Sequence, residues 1–107
     1  VYLRGSMNDW STHQPLRAGT DGLLRTTLEL DAGTHELKVA SEDWAVIDLG
    51  QAGQQRPLAA QGSLPLVGVG GNIALELRQR SRCAFTVDGR DLFAPTLQVD
   101  CQPLPAR

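Results

Sequence analysis

Two tryptophans and one lysine carry most of the chemistry open to this chain of 107 residues. Trp10 closes the run Gly5-Ser6-Met7-Asn8-Asp9-Trp10, in which small and polar turn-forming residues precede a large apolar side chain. Trp44 follows the acidic pair Glu42-Asp43, and Lys38 is the only lysine in the sequence. Burying a large apolar side chain is worth roughly 1.5–3 kcal/mol. A tryptophan at a turn forgoes part of that unless something outside the protein covers it. Flat aromatic faces beside a few donors and acceptors meet the needs of a sugar ring, whose axial C–H bonds seek an aromatic plate and whose hydroxyls seek polar partners. The other reading folds both tryptophans into the core, and composition alone leaves the two open.

Other chemistry is poorly represented. The sequence contains no G-x-S-x-G elbow, no phosphate-binding Walker loop, no H-E-x-x-H and no C-x-x-C. The glycines of Val67-Gly68-Val69-Gly70-Gly71-Asn72 lack the strand-to-helix setting that a phosphate cradle needs. His13 and His35 have no companions at metal-ligand spacing, and His35 reads as a half-buried strand residue. Glu42-Asp43 is a carboxylate pair, but glycoside hydrolysis needs two carboxylates across a sugar-sized cleft, and short loops offer little cleft. The expectation is therefore a non-catalytic chain with no catalytic residue, no metal and no cofactor. A net charge of −2 gives no electrostatic case for nucleic acid. Its one dense basic patch, Arg78-Gln79-Arg80-Ser81-Arg82, reads as a solvated turn. No stretch approaches the roughly 18 apolar residues of a membrane span.

These residues must be positioned by strands, because no amphipathic helix of useful length is legible. Short apolar and β-branched runs recur between Gly, Asp, Asn and Pro. Strands are expected at Val1–Arg4, Leu23–Leu30, Thr34–Ser41, Trp44–Asp48, Asn72–Leu77, Cys83–Val87 and Thr96–Cys101, with a short edge strand at Leu64–Val67 inside a long connection over 50–71. Along Thr34–Ser41 the period of two puts His35, Leu37 and Val39 on one face and Glu36, Lys38 and Ala40 on the other. Strands at intervals of about eight to twelve residues predict an immunoglobulin-like antiparallel β-sandwich of about seven to eight strands. The expected domain covers 1–102, and Pro103-Leu104-Pro105 opens a linker or tail over 103–107. The opening Val1-Tyr2-Leu3 reads as the middle of a strand, so the expectation is a domain of a longer protein.

Pairing Cys83 with Cys101 in a hairpin also pairs Phe85 with Val99 and Val87 with Leu97, which puts all six residues on one face. Two free buried thiols are the alternative. The matching register favours a Cys83–Cys101 disulfide, and with it a periplasmic or extracellular setting.

Three segments together, Val1-Tyr2-Leu3-Arg4-Gly5-Ser6-Met7-Asn8-Asp9-Trp10-Ser11, Leu30-Asp31-Ala32-Gly33-Thr34-His35-Glu36-Leu37-Lys38-Val39-Ala40 and Asp43-Trp44, resemble the early-set glycogen- and starch-binding domains. That family includes the carbohydrate-binding module of the AMP-activated kinase β subunit and modules of branching, debranching and pullulanase enzymes. Its pattern is a G-S-F-N-x-W turn, a strand with A/E-G-x-H/Y-x-F/Y-K and a D-x-W turn. In the second half, Asp48-Leu49-Gly50, Gly70-Gly71-Asn72-Ile73, Phe85-Thr86-Val87-Asp88 and Ala94-Pro95-Thr96-Leu97 are similar to N-terminal modules of bacterial pullulanase- and α-amylase-type proteins. The resemblance implies an α-glucan ligand such as starch, glycogen or pullulan, and a catalytic domain in the same, exported chain. It makes Trp10 and Trp44 glucose-stacking plates and Lys38 a hydroxyl donor. Asn72 stands near the family's Asn-Asn pair, with Gly71 where the other Asn would be, and Met7 replaces the usual Phe. The competing implication is a structural early-set domain that packs on a neighbouring catalytic domain without binding sugar.

Overall fold

The structure, a computed structural model, describes residues 1–53, 56–91 and 93–105. The alternation read along 33–40 becomes its organising strand, β4 (Gly33–Ala40). One edge of β4 pairs with β1 (Tyr2–Gly5), in the register Leu3↔Val39 and Arg4↔Lys38. Its other edge takes β8 (Ile73–Leu77) along the first half and β5 (Asp48–Gly50) along the second, and β5 pairs in turn with β7 (Val67–Gly68). The second sheet runs β2 (Arg17–Ala18), β3 (Leu24–Leu30), β9 (Ser81–Asp88), β10 (Thr96–Pro103), β6 (Gln61–Pro65) in spatial order. Among the described residues all ten strands pair antiparallel, giving the two-layered β-sandwich that the strand spacing predicts. Ladders of two residues, β2 and β7, raise the count above eight.

The core lies between the inner faces. Leu3, Leu37, Val39, Ile73 and Leu75 from one sheet meet Phe85, Val87, Leu97 and Val99 from the other, all almost fully buried. Cys83 and Cys101 face one another across β9 and β10 in that core and are joined by a disulfide. Phe85 stands opposite Val99 and Val87 opposite Leu97, the register that parity requires.

Three boundaries differ from the sequence reading. Residues 44–46 form bends, and the expected strand Trp44–Asp48 begins only at Asp48; Trp44 is left-handed, with φ 64°, which no extended strand accommodates. The edge strand expected at Leu64–Val67 is split between sheets. β6 ends at Pro65, Leu66 is buried with its N–H on the Pro95 carbonyl, and β7 then joins the opposite sheet. The last strand, expected to end at Cys101, runs on to Pro103 as β10, and the Leu104 N–H donates to the Arg80 carbonyl at 2.9 Å. Residues 54 and 55 of the expected connection, and 106 and 107 of the expected tail, lie outside the described residues. No described helix is long and apolar enough to cross a membrane.

Candidate functional site

The run that opens with Gly5 leaves β1 as a single 3-10 turn, Ser6–Asn8. Asn8 makes it: its Oδ1 accepts from the Gly5 N–H at 3.1 Å and its Nδ2 donates to the Leu3 carbonyl at 3.0 Å. Gly5 is required by close approach, since a Cβ there would collide with the Glu36 carbonyl of β4. Asp9 and Trp10 then both adopt left-handed backbone, at φ 54° and 58°, and the Trp10 N–H closes on the Gly5 carbonyl at 2.8 Å. The chain thereby doubles back over the outer face of the first sheet, leaving Trp10 half-buried.

The turn between β4 and β5 is built on Asp43, whose Oδ1 accepts the Ala45 N–H at 2.9 Å and the Ser41 hydroxyl at 3.1 Å. Those two hydrogen bonds, the backbone one first, hold its carboxyl below the usual aspartate range. Trp44 sits at the bend that follows and is also half-buried. Non-glycine residues with positive φ are uncommon, and each costs on the order of 1–3 kcal/mol unless its surroundings enforce it. Asp9, Trp10, Trp44 and Val69 are the four among the described residues, and both tryptophans are included.

Folding carries the two rings to one corner. Their centroids are 6.1 Å apart and their planes meet at 48°, so the pair forms an angled plate, not a coplanar one. Beneath it lie two cations, neighbours through the Arg4↔Lys38 register and on the face opposite Leu3, Leu37 and Val39. The Arg4 guanidinium stands 4.1 Å from the Trp44 ring centroid and the Lys38 Nζ 5.8 Å. Both side chains are about nine-tenths buried, because the Trp44 turn covers the face that alternation alone would leave to water. Lys38 forms a close ion pair with Asp48 Oδ1, an oxygen shut off from water whose near partner is that ammonium alone.

Of the residues singled out in the sequence, Trp10, Trp44 and Lys38 come together. Asn72 is exposed at the entrance to β8, on the Lys38 side of the sheet, with its Nδ2 3.4 Å from Glu36 Oε2. Arg4 was not singled out. Its signal was available: a charged residue between Leu3 and Gly5 in a buried strand, on the same face as Lys38 once β1 is paired with β4. Beside Trp44 a groove of about 440 Å³ runs between the sheets over Val39, Ile47, Leu49 and Val87, with exposed Val46 and Val69 at its rim.

The fold defines a class, an antiparallel β-sandwich consistent with that of starch-binding domains. The particular similarity is to a solved structure described as the ligand-induced structure of AmyP-SBD, an amylase starch-binding domain. The two share a TM-score of 0.60 at 19% identity, over 94% of this chain and 71% of that one. No family model matches the chain, and no curated protein matches it.

Proposed function

We propose that this domain is a non-catalytic α-glucan-binding module, holding starch, glycogen or pullulan against the angled Trp10–Trp44 plate. The observation that carries the proposal is that two tryptophans 34 positions apart meet with their centroids at 6.1 Å, half-exposed, both on left-handed backbone. A core role would bury the rings and needs no such backbone. The 48° tilt suits a curved chain of α-linked glucose, each ring supporting one sugar face. Lys38 and the exposed Asn72 are the proposed hydroxyl partners; the Asp48 carboxylate orients the first, so its remaining protons alone are free to donate. The similarity to a starch-binding domain supports this reading at the level of fold. Binding on one small plate is modest, and a catalytic domain carried in the same chain, as in pullulanase- and amylase-type proteins, supplies avidity. The Cys83–Cys101 disulfide supports an exported, periplasmic or extracellular parent.

Titration of tryptophan fluorescence with maltoheptaose tests the reading. The wild type gives a saturable change, while Trp10→Ala and Trp44→Ala each weaken binding on the order of ten-fold, the equivalent of one lost stacking contact. The second reading, a structural domain packed on a catalytic neighbour, is favoured by the exposure of Val46 (81%), Val69 (85%) and Phe93 (99%). A folded wild type with no response at millimolar sugar would select it.

A further inference from the structure

We infer that Arg4 is the positioning residue of the glucan site, fixing the angle between the two tryptophans and with it a preference for stiff ligands over flexible ones; the inference rests on the glucan-binding reading above. Arg4 is 9% exposed, and among the described residues no carboxylate forms an ion pair with it. A buried cation of this kind persists only when its donors are satisfied.

Three of its five N–H donors go to the two turns that carry the rings. Nε donates to the Trp10 carbonyl at 2.6 Å, and one terminal nitrogen donates to the carbonyls of Ser41 at 3.0 Å and Glu42 at 2.7 Å. The face of the same guanidinium lies under Trp44. One planar group thus holds the backbone of both turns and one of the two rings. Only a rigid fork with several donors can do this; a lysine ammonium is a compact point charge. Left-handed residues persist where their surroundings over-determine them, and Arg4 is the residue that touches the surroundings of both Trp10 and Trp44. With Arg4 on its inner side, Trp44 offers a ligand its outer face alone.

The consequence is a plate set at a fixed angle before any sugar arrives. A cyclic glucan cannot bend to meet a loosened plate, whereas a linear one can. Freeing the turns therefore penalises the cyclic ligand more, which a general loss of stability would not do.

The test compares wild type, Arg4→Met and Arg4→Lys in calorimetric titrations with β-cyclodextrin and with maltoheptaose, alongside far-ultraviolet circular dichroism for the exciton signal of the coupled tryptophans. Arg4→Lys keeps charge and stem length, so it serves if Arg4→Met does not fold. The expected result is a loss of about ten-fold for β-cyclodextrin against about three-fold for maltoheptaose, the scale of one or two side chains that must be immobilised afresh on binding, together with loss of the exciton signal. A folded variant that keeps the signal, or weakens both sugars equally, overturns the inference. If wild type binds neither sugar, the glucan reading and the ligand preference fail together, and the exciton signal still decides whether Arg4 sets the ring geometry.

Discussion

Arg4 and Lys38 are neighbours on one sheet face, yet their charges are met in different ways. Arg4 spreads its charge over three carbonyls and the near Trp44 ring, while Lys38, farther from that ring at 5.8 Å, meets one carboxylate whose side chain is 21% exposed. Removing one partner of a buried pair leaves the other charge uncompensated and costs about 3–5 kcal/mol, whereas replacing both with apolar groups is often neutral. Because some water reaches Asp48, Asp48→Leu and Lys38→Met are each expected to lower stability near the bottom of that range, about 3 kcal/mol. The double variant Lys38→Met/Asp48→Leu recovers most of the loss. Urea denaturation of the four proteins closes the cycle, and purely additive losses would mean that the pair is not a stabilising unit. Sugar affinity of the double variant stays reduced if Lys38 donates to a hydroxyl.

At the scale of elements, the legible part of the molecule was the part governed by the period of two. The β9–β10 register follows from the parity of Cys83, Phe85 and Val87 against Cys101, Val99 and Leu97, and needs nothing beyond the hairpin. The illegible part depends on side chains that bond backbone. Asp43 turns the chain at Ala45 instead of letting it extend, which delays β5 to Asp48. Arg4 acquires its role only when β1 lies beside β4 and two distant turns fold over it. The residue types that meet at this corner were therefore readable, and the angle between the rings was not. The same division of the fold predicts the effect of reduction. The disulfide closes a loop with a sequence separation of 18 in the second sheet, while both tryptophan turns belong to the first. By the chain-entropy argument, reduction lowers stability by about 3 kcal/mol and leaves the proposed glucan affinity at native temperature unchanged. A urea midpoint indifferent to reductant would count against the first half of that statement, and a loss of sugar binding in still-folded protein against the second.

For the molecule as a whole, the turns respond to acid together. Asp21 bonds to Arg25, then to the Leu23 N–H, and its carboxyl falls from 3.8 to about 2. Asp88 is lowered by the Arg90 side chain and N–H, and Asp43 by Ala45 and Ser41. In each case the folded carboxyl is more acidic than the unfolded one, so the stabilisation is complete above the ordinary value of 3.8 and disappears as pH falls toward the folded value. Stability is expected to hold level from neutral pH down to the ordinary aspartate range, then decline down to about 2, where Asp21 itself titrates. All three carboxylates are solvated, so each contributes a modest share screened by salt. Urea midpoints measured against pH give the curve, and Asp21→Asn flattens part of it; a midpoint unchanged across that window would refute the assignment. Asp43 adds a functional arm, because the turn that it closes carries Trp44. Acid is therefore expected to weaken the proposed glucan binding while the sandwich is still folded. In Asp43→Asn the affinity starts lower and no longer varies over the same interval, which separates loosening of the turn from unfolding of the domain.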